Sequence, residues 1–157
     1  ARQNGSTSKD MQHPEVVSWA EFFAALKGIN PAVKIAYHSD GMIDPIIPDM
    51  IEVGLDVLNP VQPGSMNPAE LKKKYGENLC FWGSIDEQKT LPFGTPEDVR
   101  REVRERLETI GSNGGLIIGP THHVQLDTPM ENFWAMVETI RETELGGQGA
   151  LSPSWKS

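Results

Sequence analysis

A short apolar run, a polar turn and a helix-forming stretch follow one another four times along this chain, and such βα alternation implies a parallel sheet. The apolar runs fall at residues 33–37, 56–59, 79–83 and 115–119, and the helices that follow them are expected at 46–53, 68–75, 96–110 and 129–143. A leading helix is expected over 15–27, where Val16, Trp19, Phe22, Phe23 and Leu26 recur at spacings of three and four before Gly28 ends the pattern. Three helix starts share one signature: Asn67-Pro68-Ala69-Glu70, Thr95-Pro96-Glu97-Asp98 and Thr128-Pro129-Met130-Glu131. Each offers a capping side chain, a proline whose missing N–H costs nothing in the first turn, and an acid three residues on. With right-handed crossovers, four such units make either an open sheet or half of an eight-stranded barrel.

Outside this frame the chain is polar and without period. Residues 1–14 read as a flexible lead-in and 146–157 as a flexible tail that carries Trp155, leaving 15–145 as the folded part. The chain opens on Ala1 rather than Met, which reads as a processed or excised piece. No apolar run approaches the roughly 18 residues of a membrane span, and no secretory signal pattern opens the sequence, so a cytoplasmic protein is expected. A formal net charge of −8 argues against nucleic acid and anionic lipid as partners. Cys80, the single cysteine, lies in Leu79-Cys80-Phe81-Trp82 and is expected to pack as a small core residue. Gly111-Ser112-Asn113-Gly114-Gly115 precedes a strand instead of following one, so it is a helix-ending loop and not a phosphate cradle.

The chemistry collects at the carboxyl ends of the runs, where ligand sites of parallel α/β proteins lie. The first run stops at His38-Ser39-Asp40-Gly41, the second at Asn59 with Gln62 beyond it, the third at Ser84 and Asp86, and the fourth at Thr121, His122, His123 and Gln125. Three of the four histidines therefore share one predicted face. His38, Asp40 and His122 form a nitrogen and oxygen donor set suited to zinc or a harder divalent ion. Adjacent residues of an extended segment point to opposite sides, so only one of His122 and His123 is expected in the pocket. Asp86 has two readings, a ligand contact or the cap of the turn that follows it. A serine nucleophile is not supported, since neither Ser39 nor Ser84 sits in a Gly-x-Ser-x-Gly elbow.

The string from Val33 through His38-Ser39-Asp40-Gly41, then Glu52-Val53-Gly54-Leu55-Asp56-Val57-Leu58-Asn59, then Trp82-Gly83-Ser84-Ile85-Asp86, then Pro129-Met130-Glu131-Asn132, resembles the uroporphyrinogen decarboxylase family in order and spacing. Relatives in that family include cobamide-dependent methyltransferases. The resemblance implies the C-terminal half of a (β/α)8 TIM barrel, four parallel strands with flanking helices, where a whole barrel takes roughly 250 residues. It places His122 on the histidine that follows the last strand in the decarboxylase cleft, and matches residues 83–86 to a Gly-Asn-Ile-Asp loop with serine in place of asparagine. The arginines that hold substrate carboxylates and the essential aspartate of the decarboxylases belong to the other half and find no match.

His38-Ser39-Asp40-Gly41 falls where the methyltransferases carry a zinc-binding His-x-Cys-Gly, so Asp40 stands in the place of a thiolate, and no cysteine follows the last strand. A site of His38, Asp40 and His122 is a harder Lewis acid than a thiolate site, which suits an oxygen- or nitrogen-bound methyl group better than thiol activation. The resemblance thus implies an enzyme of corrinoid-linked methyl transfer in its full-length form, with His38, Asp40 and His122 as catalytic or metal-binding groups and Asn59, Gln62, Ser84, Asp86 and His123 shaping the pocket for a small-molecule substrate. The corrinoid would arrive on a partner protein. Tetrapyrrole decarboxylation, with His122 or Asp40 as proton donor, is the alternative. A noncatalytic half-barrel that closes its sheet by forming a homodimer is a third reading.

Overall fold

The computed structural model describes residues 14–143, so the predicted lead-in apart from Pro14, and the tail with Trp155, lie outside the described residues. After helix α1 (Pro14–Ile29), strands β1 (Ala36–His38), β2 (Val57–Asn59), β3 (Cys80–Ile85) and β4 (Leu116–Pro120) alternate with helices α2 (Ile47–Glu52), α3 (Pro68–Tyr75), α4 (Thr90–Phe93), α5 (Pro96–Glu108) and α6 (Met130–Glu142), and a 3-10 turn at Asp44–Ile46 leads into α2. All four strands are parallel and pair in chain order, β1-β2-β3-β4.

Among the described residues the sheet carries its helices on one face only, which decides between the two architectures left open by the sequence. Tyr37, Leu58, Phe81 and Leu116 stand in one row across the strands. Leu58 and Phe81 are fully buried there against Phe23 of α1, Met50 of α2 and Leu71 of α3. Further along the strands, Ile85 and Ile118 join a second cluster with Leu91, with Val99 and Val103 of α5, and with Ala135 and Met136 of α6. Side chains of alternate parity point the other way. Ala36 and His38 are exposed on that side, as are Trp82 and Ile117, at 44% and 49%. An open doubly wound sheet is covered on both faces, whereas a barrel strand shows its second face to the barrel interior. The four strands with their outer helices are half of a TIM barrel.

Local chemistry explains where the elements start. Asn67 Oδ1 accepts the backbone N–H groups of Ala69 at 2.9 Å and Glu70 at 3.2 Å, and Thr95 with Asp98 forms a reciprocal capping box, as their sequences predict. The third expected cap differs. Thr128 gives its N–H to Gln125 O in a turn, Pro129 takes the N-cap position, and α6 begins at Met130 without a side-chain cap. The first strand also begins later than its apolar run, because Val33 N–H closes a turn onto Asn30 O and Ile35 N–H bonds the Asp56 carboxylate at 2.8 Å instead of a neighbouring strand. At its other end β3 extends past Gly83 to Ile85, so Ser84 is a strand residue. The single turn α4 was not predicted.

Three polar anchors tie the helices to neighbouring turns and to one another. Lys27 of α1 donates to Gly54 O at 2.7 Å and pairs with Asp56 at 3.0 Å. Burial pushes the Asp56 carboxyl up, but the Ile35 N–H and the Lys27 and Lys34 ammoniums outweigh it and hold it below the ordinary carboxylate value. Lys74 and Tyr75 of α3 both donate to Asp44, at 2.6 and 2.8 Å, and hold its carboxyl low. Burial, then the bond to Asp44, pushes the Tyr75 phenol up to about 12. Asn132 of α6, fully buried, donates to both Leu91 O and Gly94 O at 2.8 Å.

Candidate functional site

At the carboxyl ends of β1 and β4 the chain brings together His38, Asp40 and His122, three exposed side chains each offering a ligand atom, all of these atoms within 4.8 Å of one another. His38 closes β1, and Asp40 follows in the turn where Gly41 takes a left-handed φ of +81°. His38 Nε2 lies 3.7 Å from Asp40 Oδ2. The rings of His38 and His122 meet edge-on with centroids 5.8 Å apart.

His122 and His123 do not diverge as an extended segment requires. The strand ends at Pro120, the backbone bends at Thr121 and His122, and both rings come to one side with centroids 4.7 Å apart and their Nδ1 atoms at 3.3 Å. The strand alternation that separates neighbours therefore stops one residue too early to apply.

The remaining predicted pocket residues divide by what their polar atoms touch. Asn59, at the end of β2, turns its Oδ1 to His38 Nδ1 at 2.6 Å and donates through Nδ2 to Trp82 O at 3.3 Å. Gln62 accepts Gly41 N–H at 3.1 Å and the Ser65 hydroxyl at 3.3 Å, which fixes the turn that carries Asp40. Asp86 Oδ1 accepts the N–H groups of Gln88 and Lys89 at 2.8 and 3.1 Å, the turn-capping alternative of its two sequence readings. Ser84 is fully buried at a φ of +84°, and its hydroxyl has no hydrogen-bond partner among the described residues. A left-handed backbone at a non-glycine residue directly after Gly83, itself at +101°, marks this strand end as strained. Cys80, expected in the core, is half-buried on the open face of the sheet, and burial pushes its thiol up, away from nucleophilic reactivity.

Sequence reasoning missed the pair that supports this loop from behind. Arg106 and Glu102 of α5 form a buried ion pair at 3.0 Å. Arg106 Nε donates to Ser84 O at 3.0 Å, and Glu102 Oε1 accepts Asp86 N–H at 3.2 Å. The available signal was phase: an i,i+4 glutamate and arginine interleaved with Val99, Val103 and Leu107 fall on the buried side of the helix.

The family model described as uroporphyrinogen decarboxylase (URO-D) matches residues 9–143. The chain belongs to the uroporphyrinogen decarboxylase family. Among curated members, uroporphyrinogen decarboxylase of Aliivibrio salmonicida is 32% identical over 79 residues, covering 50% of this chain and 22% of that protein. The enzyme of Chlorobaculum parvum is 25% identical over 122 residues, covering 76% of this chain and 33% of that protein. Alignments with these two uroporphyrinogen decarboxylases thus span 22% and 33% of their lengths. Among solved structures, a methyltransferase from Methanosarcina mazei superposes with a TM-score of 0.65 at 19% identity, over 85% of this chain and 37% of that one. This likeness establishes the fold that the family member shares with the methyltransferase. No helix of the described residues is long and apolar enough to cross a membrane.

Proposed function

We propose that this chain supplies the C-terminal half of the catalytic cleft of a cytoplasmic, corrinoid-linked methyl-transfer enzyme, with His38, Asp40 and His122 holding a divalent metal. The convergence of those three donors carries the reading. The donor chemistry fits the ion. Zinc takes imidazole nitrogen and carboxylate oxygen at about 2.0–2.2 Å, which separates two ligand atoms by roughly 3.5 Å, and His38 Nε2 stands 3.7 Å from Asp40 Oδ2. Two nitrogens and one oxygen suit zinc or a harder divalent ion, and three protein ligands are the number that leaves a position for substrate. A metal bound there would polarise an oxygen or nitrogen of the substrate.

The chain's own groups do the rest. Gln62 holds Gly41 N–H and thereby the turn presenting Asp40. His123, exposed and in contact with His122, is placed to meet a substrate entering at the strand ends. The substrate class is a small molecule with a methyl group on oxygen or nitrogen, and the acceptor is a reduced corrinoid delivered by a separate protein.

One observation favours a second reading. His122 is exposed at the end of β4, free to act as a proton donor without a metal, and the curated relatives are named uroporphyrinogen decarboxylases. The discriminating experiment incubates the full-length protein with reduced cobalamin and a panel of O-methyl and N-methyl compounds, and in parallel with uroporphyrinogen. Methylcobalamin formation that falls by roughly 100-fold or more in His122→Ala and Asp40→Ala is expected. Decarboxylation of uroporphyrinogen with no methylcobalamin from any donor would refute methyl transfer.

A further inference from the structure

We infer that Asn59 is a positioning residue that holds the His38 imidazole with its proton on Nδ1 and Nε2 bare. The inference rests on reading His38 as a ligand or proton acceptor. It assigns Asn59 to the histidine instead of to the substrate, because both ends of its amide are already engaged within the protein.

A relay anchored in backbone links Asn59 to His38. Asn59 closes β2 directly beside His38 in the β1–β2 register, and Ser39 N–H bonds Asn59 O at 2.8 Å, so the two strand ends are tied before any side chain acts. The Trp82 carbonyl can only accept, so the end of the Asn59 amide that meets it at 3.3 Å is the NH2 group. That leaves Oδ1, which can only accept, facing His38 Nδ1 at 2.6 Å. An acceptor at that distance requires a proton on Nδ1, and in the neutral ring Nε2 then carries a lone pair. Nε2 is the nitrogen that faces Asp40 Oδ2.

The opposite tautomer has its own attraction, which is why the relay matters. Asp40 alone would draw the proton to Nε2, since a carboxylate 3.7 Å away favours an N–H pointing at it. A proton there would block the nitrogen that must bind metal or receive a proton. Asn59 opposes that pull from the other side of the ring, in the way outer-shell partners fix metal-ligating histidines.

The test is spectroscopic and uses the metal-free, full-length protein labelled with 15N-histidine at about pH 8.5, where an ordinary imidazole is neutral. Two-bond 15N–1H correlations report which ring nitrogen is protonated, and the His38→Gln variant assigns the signals. The Nδ1–H form is expected in the wild type and in Asn59→Asp, which keeps an acceptor in place, and the Nε2–H form in Asn59→Leu. Zinc affinity should fall 10- to 100-fold in Asn59→Leu and stay within a few-fold in Asn59→Asp. A wild-type His38 in the Nε2–H form, or a tautomer unchanged in Asn59→Leu, overturns the inference. The wild-type spectrum decides even if a variant fails to fold. A wild type in the Nδ1–H form that takes up no zinc would uphold the Asn59 assignment and sink the metal reading alone.

Discussion

Replacing Arg106 by methionine should destabilise the full-length protein by about 3–5 kcal/mol, the cost of leaving a buried charge without its partner. The size follows from the surroundings of the pair. Arg106 and Glu102 have side chains only 10% and 9% exposed, so water screens little of their interaction at 3.0 Å. Glu102 Oε2 already has no hydrogen-bond partner among the described residues, so loss of the guanidinium leaves the carboxylate only the Asp86 N–H. Removing both charges, as Arg106→Met with Glu102→Leu, should cost less, about 1–3 kcal/mol. That remainder comes from Ser84 O and Asp86 N–H, which lose their partners in a buried setting. Equilibrium urea unfolding of wild type, both single variants and the double variant gives the cycle directly, and the double variant should be about 2 kcal/mol more stable than Arg106→Met alone. A single Arg106→Met variant within about 1 kcal/mol of wild type, or a double variant as unstable as the single one, would refute the reasoning.

Two further perturbations test the frame around the site. Gly83→Ala places a Cβ at 3.4 Å from Pro120 O and Thr121 Cα, an ordinary contact, so its cost is the left-handed backbone at φ +101°, about 1–2 kcal/mol by the same urea assay; a neutral effect would contradict that geometry. Asp44 has a folded pKa below its ordinary 3.8, so its contribution is present above that value and lost as pH falls through the folded one. The stability gap between wild type and Asp44→Asn should therefore close in acid. Tyr75 runs the other way: with its phenol raised from 10.0 to about 12, its contribution is complete below pH 10.0 and lost as pH rises toward 12. Absorbance titration of the tyrosines should show Tyr75 ionising last, and earlier in Asp44→Asn.

What the sequence made legible was whatever depended on neighbours in the chain. Asn67-Pro68 and Thr95-Pro96 announced their helices because a cap acts over three residues. Thr128-Pro129 failed the same test because Thr128 belongs to the local turn closed onto Gln125 O, which leaves Pro129 at the N-cap. The strand-end position of His38-Ser39-Asp40-Gly41 pointed to the carboxyl-end face, and the distant His122 lies beside it there because parallel strands in chain order put their carboxyl ends together. The duties of individual polar atoms were not legible. Whether Asn59 meets substrate or His38 depends on the register of two strands, whether His123 follows His122 depends on one bend after Pro120, and whether Ser84 faces the cleft depends on two successive left-handed residues. The single turn Thr90–Phe93 is shorter than any periodicity can register.

The most direct test of the metal site is metal content by plasma mass spectrometry, with zinc titration, on tag-free full-length protein and on its Asp40→Ala and His122→Ala variants. Near-stoichiometric zinc or another divalent ion in the wild type, lost in both variants, is the expected result, since donors drawn from β1 and β4 must act together. Absence of metal in the wild type after zinc titration, or metal retained in either variant, would contradict the site and leave His122 to proton transfer alone.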